Sequence, residues 1–305
     1  PESPYRSWYR WISDEDTDQP SLGYTGPYSL KQKALGGAVW NIDLRNRGLD
    51  SHGKEMFYYY AGVFGSQMPD FNLDEKAVRK EFKKVLKFWL DKGVSGFRFD
   101  AVAHAYNANE VKPGTETISK AIDFWKEISD YVSSEKPDSY CVGEVWEPAA
   151  TRAKYMGALQ SNFHFDLGTL ISQIINNQEA NDRNNESDNE DPSTYNGYAR
   201  SLEGQYAMYA KNNPNYIDAP FLSNHDQVRS ASALKNKPEK IKLAADMYIL
   251  LEGVPFVYYG EEIAMKSGSD DPSKRTPLVW NKPGKDRFES SWNEGGPYRN
   301  STVYN

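Results

Sequence analysis

From about residue 74 onward the chain repeats one pattern: an amphipathic stretch of helical period, a Gly or Pro stop, then a short apolar run that ends on a carboxylate. The first such stretch, starting at Asp74, puts Val78, Phe82, Val85, Leu86, Trp89 and Leu90 on one face and stops at Gly93, directly before the run that ends in Asp100. The second carries Ile118, Ile122, Trp125, Ile128 and Val132, ends near Pro137, and leads into Tyr140-Cys141-Val142 and then Glu144. Asn162 to Asp166 reads as a further short strand, and Pro220-Phe221-Leu222 leads to Asp226. A helix from Pro238 to Leu251 stops at Gly253, and Val254 to Tyr259 is expected to form a last strand. Helix and strand in alternation require crossover connections, so the expected class is α/β with a parallel sheet.

Two stretches break this pattern. Residues 1–65 are rich in Gly, Pro, Tyr and Asp, with only short strand-like runs such as Gly37 to Ile42, and read as a small irregular domain. The Asn- and Asp-rich segment from Asn176 to Asn196 offers little to bury and reads as a solvated excursion.

Composition narrows the partners. A net charge of −7 argues against nucleic acid and anionic membranes, whose binding needs clustered Lys and Arg. The mean hydropathy of −0.78 and the absence of a long apolar run argue against a membrane span. Aromatic residues make up 14% of the chain, and aromatic faces suit both core packing and the apolar faces of sugar rings. The single cysteine, Cys141, excludes internal disulfides and sits in an apolar run as a small buried side chain.

The carboxylates at the run ends have the chemistry of glycosidic cleavage. Retention at the anomeric carbon needs an acid for the leaving oxygen and a nucleophilic carboxylate roughly 5 Å away. In Gly96-Phe97-Arg98-Phe99-Asp100 the strand period of two puts Arg98 and Asp100 on one face. An arginine there keeps the carboxylate ionised, as a nucleophile must be; the same pair would also serve as a plain structural ion pair at a strand end.

Taken together, Gly96 to His104, Gly143-Glu144-Val145-Trp146, Phe221 to Asp226 and Met68-Pro69-Asp70-Phe71-Asn72 resemble four motifs of the α-amylase family of glycoside hydrolases, in family order. The resemblance implies a (β/α)8 TIM barrel with an inserted B domain, the latter at residues 1–65, and strands 4–8 of the barrel over residues 66–305. It implies Asp100 as nucleophile, Glu144 as acid/base and Asp226 as a third carboxylate, with Arg98, His225, His104 and Trp146 meeting the sugar. The family's first motif, a strand ending in Asp-x-x-x-Asn-His, is not among these residues. The expectation is therefore an internal stretch of a longer enzyme, with little activity on its own.

The resemblance also implies calcium, held by the side chain of Asn72, the backbone carbonyl of His104 and Asp70; a groove-lining role for His104 is the other reading. Asp14-x-Asp16-x-Asp18 lacks the glycine and distal glutamate of a calcium loop and reads as a solvated acidic turn. Ala101, directly after Asp100, favours α-1,4 over α-1,6 bonds within the family, while Met68 to Asn72 lies between the oligo-1,6-glucosidase and neopullulanase versions. The implied protein is a monomeric, extracellular, endo-acting α-1,4-glucan hydrolase. The alternatives are an exo-acting α-glucosidase, oligo-1,6-glucosidase or neopullulanase-like enzyme and, from another class, a non-catalytic carbohydrate-binding or transporter-associated homologue.

Overall fold

A computed structural model of the chain describes residues 3–13, 40–107, 116–176 and 197–278. The acidic turn at residues 14–18, most of the Asn-rich segment and the chain beyond residue 278 lie outside the described residues. The chain divides into two compact units, residues 1–97 with 101–140, and residues 98–100 with 141–305.

The first unit opens with a three-stranded antiparallel sheet in which β3 (Glu55–Ala61) lies between β1 (Trp11–Ser13) and β2 (Trp40–Leu49). β2 and β3 are in register except for an irregularity between Asp43 and Arg47. Alternation sorts the faces: Ile12, Trp40, Tyr59 and Ala61 form one buried cluster, while Trp11 and Tyr60 meet edge to face on the other side. Two helices follow, α1 (Lys76–Asp91) and α2 (Thr117–Glu135). Phe82 of α1 packs on Phe124 and Trp125 of α2, and Val78 and Leu86 are buried. The apolar stripe is wider than the face that packs, since Val85 and Trp89 remain about half exposed.

The parallel sheet has the order β4 (Gly96–Phe99), β5 (Tyr140–Gly143), β6 (Ser161–Phe163), β7 (Ile217–Ala219). Neighbours in space are neighbours in chain order, the singly wound progression of a (β/α)8 barrel. Gly96 is required by close packing, because a Cβ there would lie 1.8 Å from the carbonyl oxygen of Tyr140. The expected strand at residues 254–259 is reduced to a single parallel bridge between Phe221 and Phe256, with Val254 and Phe256 donating to the carbonyls of Asp218 and Pro220. Pro220 lacks the N–H that would donate back to the 254–256 segment in a longer ladder.

Between and after these strands in the second unit run α3 (Ala149–Tyr155), α4 (Phe165–Ile175), α5 (Tyr198–Asn212), α6 (Ser230–Ala233), α7 (Pro238–Ile249) and α8 (Asp271–Lys274). Leu167, Ile171 and Ile175 of α4 pack with Leu202, Leu234, Ala244 and Tyr248 as its core. Gly253 ends the α7 segment at φ +115°, where any Cβ would also strike the carbonyl of Asp218. Cys141 is buried with a free thiol.

Candidate active site

β4 ends as its alternation requires: Phe99 is buried and Arg98 points outward. From this position the Arg98 guanidinium reaches two carboxylates at once. Its Nη1 pairs with Asp100 Oδ1, and its Nη2 lies 3.0 Å from Glu144 Oε1. The two acids differ in setting, for the Asp100 side chain is 75% exposed and that of Glu144 only 10%. Glu144 is carried to this position by the end of β5, where its amide donates to the Phe99 carbonyl at 2.8 Å. Immediately after Asp100 the chain turns through Ala101 in the left-handed region, φ 47° and ψ 42°, which costs an L-residue roughly 1–2 kcal/mol.

The third acid, Asp226, follows β7 in a turn closed by its own amide donating to Asn224 Oδ1 at 2.9 Å. His225 Nε2 lies 3.1 Å from Asp226 Oδ2, and Arg275 Nη2 donates to Oδ1 at 2.5 Å. Arg275 Nε also donates to the His225 carbonyl, and Lys274 Nζ to that of Asp226. The sequence reading missed both cations. They lie about fifty residues along the chain, at the end of α8, whose N-cap Asp270 accepts from the Ser273 amide. Glu261 was also missed. It accepts from Ser223 Oγ, the Tyr258 amide and Tyr248 hydroxyl, bracing the start of the Ser223 to Asp226 turn. Burial pushes its carboxyl above the usual glutamate range.

Trp146 stacks on Phe165 at 4.9 Å with its ring 16° from parallel, and 54% of it is exposed. Trp146 and Asp226 line the same cavity of about 460 Å³, together with Thr169, Gln173, Gln227 and Lys235. An exposed aromatic face beside hydrogen-bonding side chains suits a sugar ring.

The residues expected at a metal lie in the first unit. Asn72 Oδ1 accepts the Asp74 amide, Asp70 Oδ2 the Val63 amide, and the His104 carbonyl the Asn107 side-chain amide. Among the described residues no three His, Cys, Asp or Glu side chains gather as metal ligands. The donors are nonetheless all hard oxygens, the kind of ligand calcium takes. The His104 ring contacts Asn107 and lies edge to face on Phe64.

The family model for the catalytic domain of alpha amylase matches residues 1–294. The chain belongs to the α-amylase family. Alpha-amylase 3 of Dictyoglomus thermophilum is 36% identical over 95% of this chain and 48% of its own length. The 4-alpha-glucanotransferase of Thermotoga maritima is 28% identical over 91% of this chain and 52% of its own. Among solved structures, an alpha-amylase from H. orenii superposes with a TM-score of 0.70 at 26% identity, covering 99% of this chain and 52% of that one. This α-amylase-family chain thus spans about half the length of the curated relatives it matches.

Proposed function

We propose that the protein is a retaining, endo-acting α-1,4-glucan hydrolase working by double displacement on starch and maltooligosaccharides. The observation that carries the reading is the Arg98 guanidinium shared by Asp100 and Glu144, which sets one exposed carboxyl group beside one sheltered one. Asp100 attacks the anomeric carbon while protonated Glu144 delivers its proton to the departing glycosidic oxygen, forming a covalent glycosyl-enzyme. Glu144, now a carboxylate, then takes a proton from water, whose oxygen attacks the same carbon from the face the leaving group vacated, breaking the bond to Asp100 and returning it as a carboxylate. Inversion twice is net retention. Asp226, held by His225 and Arg275, hydrogen-bonds the sugar hydroxyls and favours the distorted ring of the transition state.

The glycosyl-enzyme can equally pass to a sugar hydroxyl, and the similarity to a glucanotransferase gives that outcome weight. Calcium belongs to the same proposal: Asn72, the His104 carbonyl and Asp70 would hold it, and it would supply a cross-link rather than chemistry. Rising thermal stability on calcium titration, lost in Asn72→Leu, is the expected result.

Proton NMR of the first products formed from maltoheptaose by the intact protein tests the reading. The expected products are short α-anomeric oligosaccharides. Initial β-anomers would overturn the double displacement, glucose and maltohexaose as the only first products would make the enzyme exo-acting, and longer oligosaccharides would make it a transferase.

A further inference from the structure

Behind the strand ends of the second unit lies a set of buried charges that the cleavage steps do not use. Arg152 has no exposed surface. Its Nε donates to the Tyr209 hydroxyl at 2.9 Å, Nη1 to the Glu147 carbonyl at 3.1 Å, and Nη2 to Asp166 Oδ2 at 2.5 Å and Gln205 Oε1 at 3.2 Å. His164, equally buried, places Nδ1 at 2.9 Å from Asp218 Oδ2 and Nε2 at 2.8 Å from Gln205 Oε1.

The orientation of Gln205 decides the state of the histidine ring. A guanidinium can only donate, so the Gln205 oxygen, not its amide nitrogen, must face Arg152. That same oxygen faces His164 Nε2, which must therefore donate as well. Nδ1 faces a carboxylate and also donates. With a proton on each nitrogen the ring is a cation, paired with Asp218 as Arg152 is paired with Asp166. The other titratable groups around it are Tyr206 and Tyr209 on α5 and Tyr216 before β7, all pushed up by burial first and then by Asp218, with Arg152 opposing the rise at Tyr209, so they stay neutral hydroxyls.

The set holds the rim that carries the acid. Arg152 grips the carbonyl of Glu147, three residues beyond Glu144, and Asp166 adjoins Phe165, on which Trp146 stacks. Asp218 belongs to β7, and its carbonyl receives the Val254 amide. Three successive strand ends are thus tied to one buried polar cluster. We propose that Arg152, together with His164 as a buried imidazolium, is a positioning residue that holds the Glu144–Trp146 rim in register for proton delivery. The inference rests on the hydrolase reading above.

A misplaced acid should harm only substrates whose leaving group needs a proton, because misplacement by about 1 Å costs on the order of 100-fold. In the intact protein, Arg152→Met is expected to lower kcat on maltoheptaose about 100-fold with KM within threefold. Single-turnover release of fluoride from α-maltosyl fluoride, which needs attack by Asp100 but little protonation, should fall less than fivefold. Arg152→Lys should recover part of the loss, since a lysine restores the charge but not the fork. Equal losses on both substrates, or no loss on either, would overturn the positioning role. Asp100→Asn and Glu144→Gln run alongside separate the two ideas: if Asp100→Asn still releases fluoride at the normal rate, the hydrolase assignment itself fails.

The wild-type protein labelled with 15N-histidine gives a readout that needs no folded variant. One histidine is expected to show slowly exchanging protons on both ring nitrogens at neutral pH. The absence of any such ring would overturn the imidazolium assignment.

Discussion

Asp74 of the first unit and Asp218 of the second are held in opposite ways. In the first, Asp74 is met by Arg10 Nη2 at 3.1 Å, Lys120 Nζ at 2.7 Å and the Tyr106 hydroxyl at 3.1 Å, with its side chain 41% exposed. In the second, Asp218 is met by His164 at 2.9 Å with 1% of its side chain exposed. The first acid has more partners, yet the second is the more consequential, because water screens one pair and not the other. A partly exposed carboxylate that loses its partners is rehydrated. A buried one is left as an uncompensated charge, so deletions in the second unit should cost more even when fewer bonds are broken.

The largest expected effect in the second unit is catalytic. Asp100→Asn keeps the shape but cannot attack carbon, and should lower turnover of maltoheptaose by roughly 10⁴-fold with oligosaccharide binding retained, measured by calorimetry beside initial rates. Glu144→Gln should lose nearly as much on maltoheptaose and far less in fluoride release from the activated donor.

Next in size is the buried pair. Asp218→Asn should cost about 3–5 kcal/mol in denaturant unfolding with little dependence on salt, because it leaves His164 facing a neutral side chain. A cost below about 1 kcal/mol would mean that water reaches the cluster and would erase the contrast between the units.

Asp74→Asn should cost no more than about 1 kcal/mol and should fade in molar salt. Burial acts against the charged form of Asp74, but donors from Lys120, Arg10 and Tyr106 outweigh it, so its carboxyl is held below the usual aspartate range. The folded state therefore binds protons less readily than the unfolded chain. The stabilisation is complete above the unfolded carboxylate range, near about pH 4, and is lost as the pH falls through the lower folded value. Thermal melts between pH 2 and 6 should show the acid limb flattened in Asp74→Asn, and an unchanged limb would contradict the assignment.

Smallest of all is Ala101→Gly. Removing the Cβ from a residue at φ 47° relieves left-handed strain, less the added freedom of the unfolded chain, for a gain of about 0.5 kcal/mol. A loss of stability would show that the turn after Asp100 is held by the alanine side chain.

Much of the fold could be read from local pattern, because helical and strand periods are properties of short stretches. The helices expected from Asp74 and around Ile118 to Val132 are found at Lys76–Asp91 and Thr117–Glu135, and Asp100, Glu144 and Asp226 each follow a strand. The last strand was over-read: five apolar residues in Val254 to Tyr259 match a buried strand, but periodicity carries no information on which amides find a partner. Only the Phe256 bridge forms. The same limit explains Val85 and Trp89, apolar positions on the correct helical face that nonetheless stay about half exposed, since a pattern states what could be buried and not what covers it.

What the sequence determined by itself was the class of fold and the placing of carboxylates just past strand ends, because both are written in spacings of two to four residues. Only the tertiary structure decided which cations meet them. Arg98 spans two acids whose residues lie 2 and 46 positions away in the chain, Arg275 returns to Asp226 across 49, and Arg152 joins Tyr209 across 57. Long, flexible cationic side chains choose partners by proximity after the chain has folded, and no local period encodes that proximity. The contact of His164 with Gln205 is further removed still, because the glutamine's orientation is set by Arg152 on a different helix, and so is a property of packing alone.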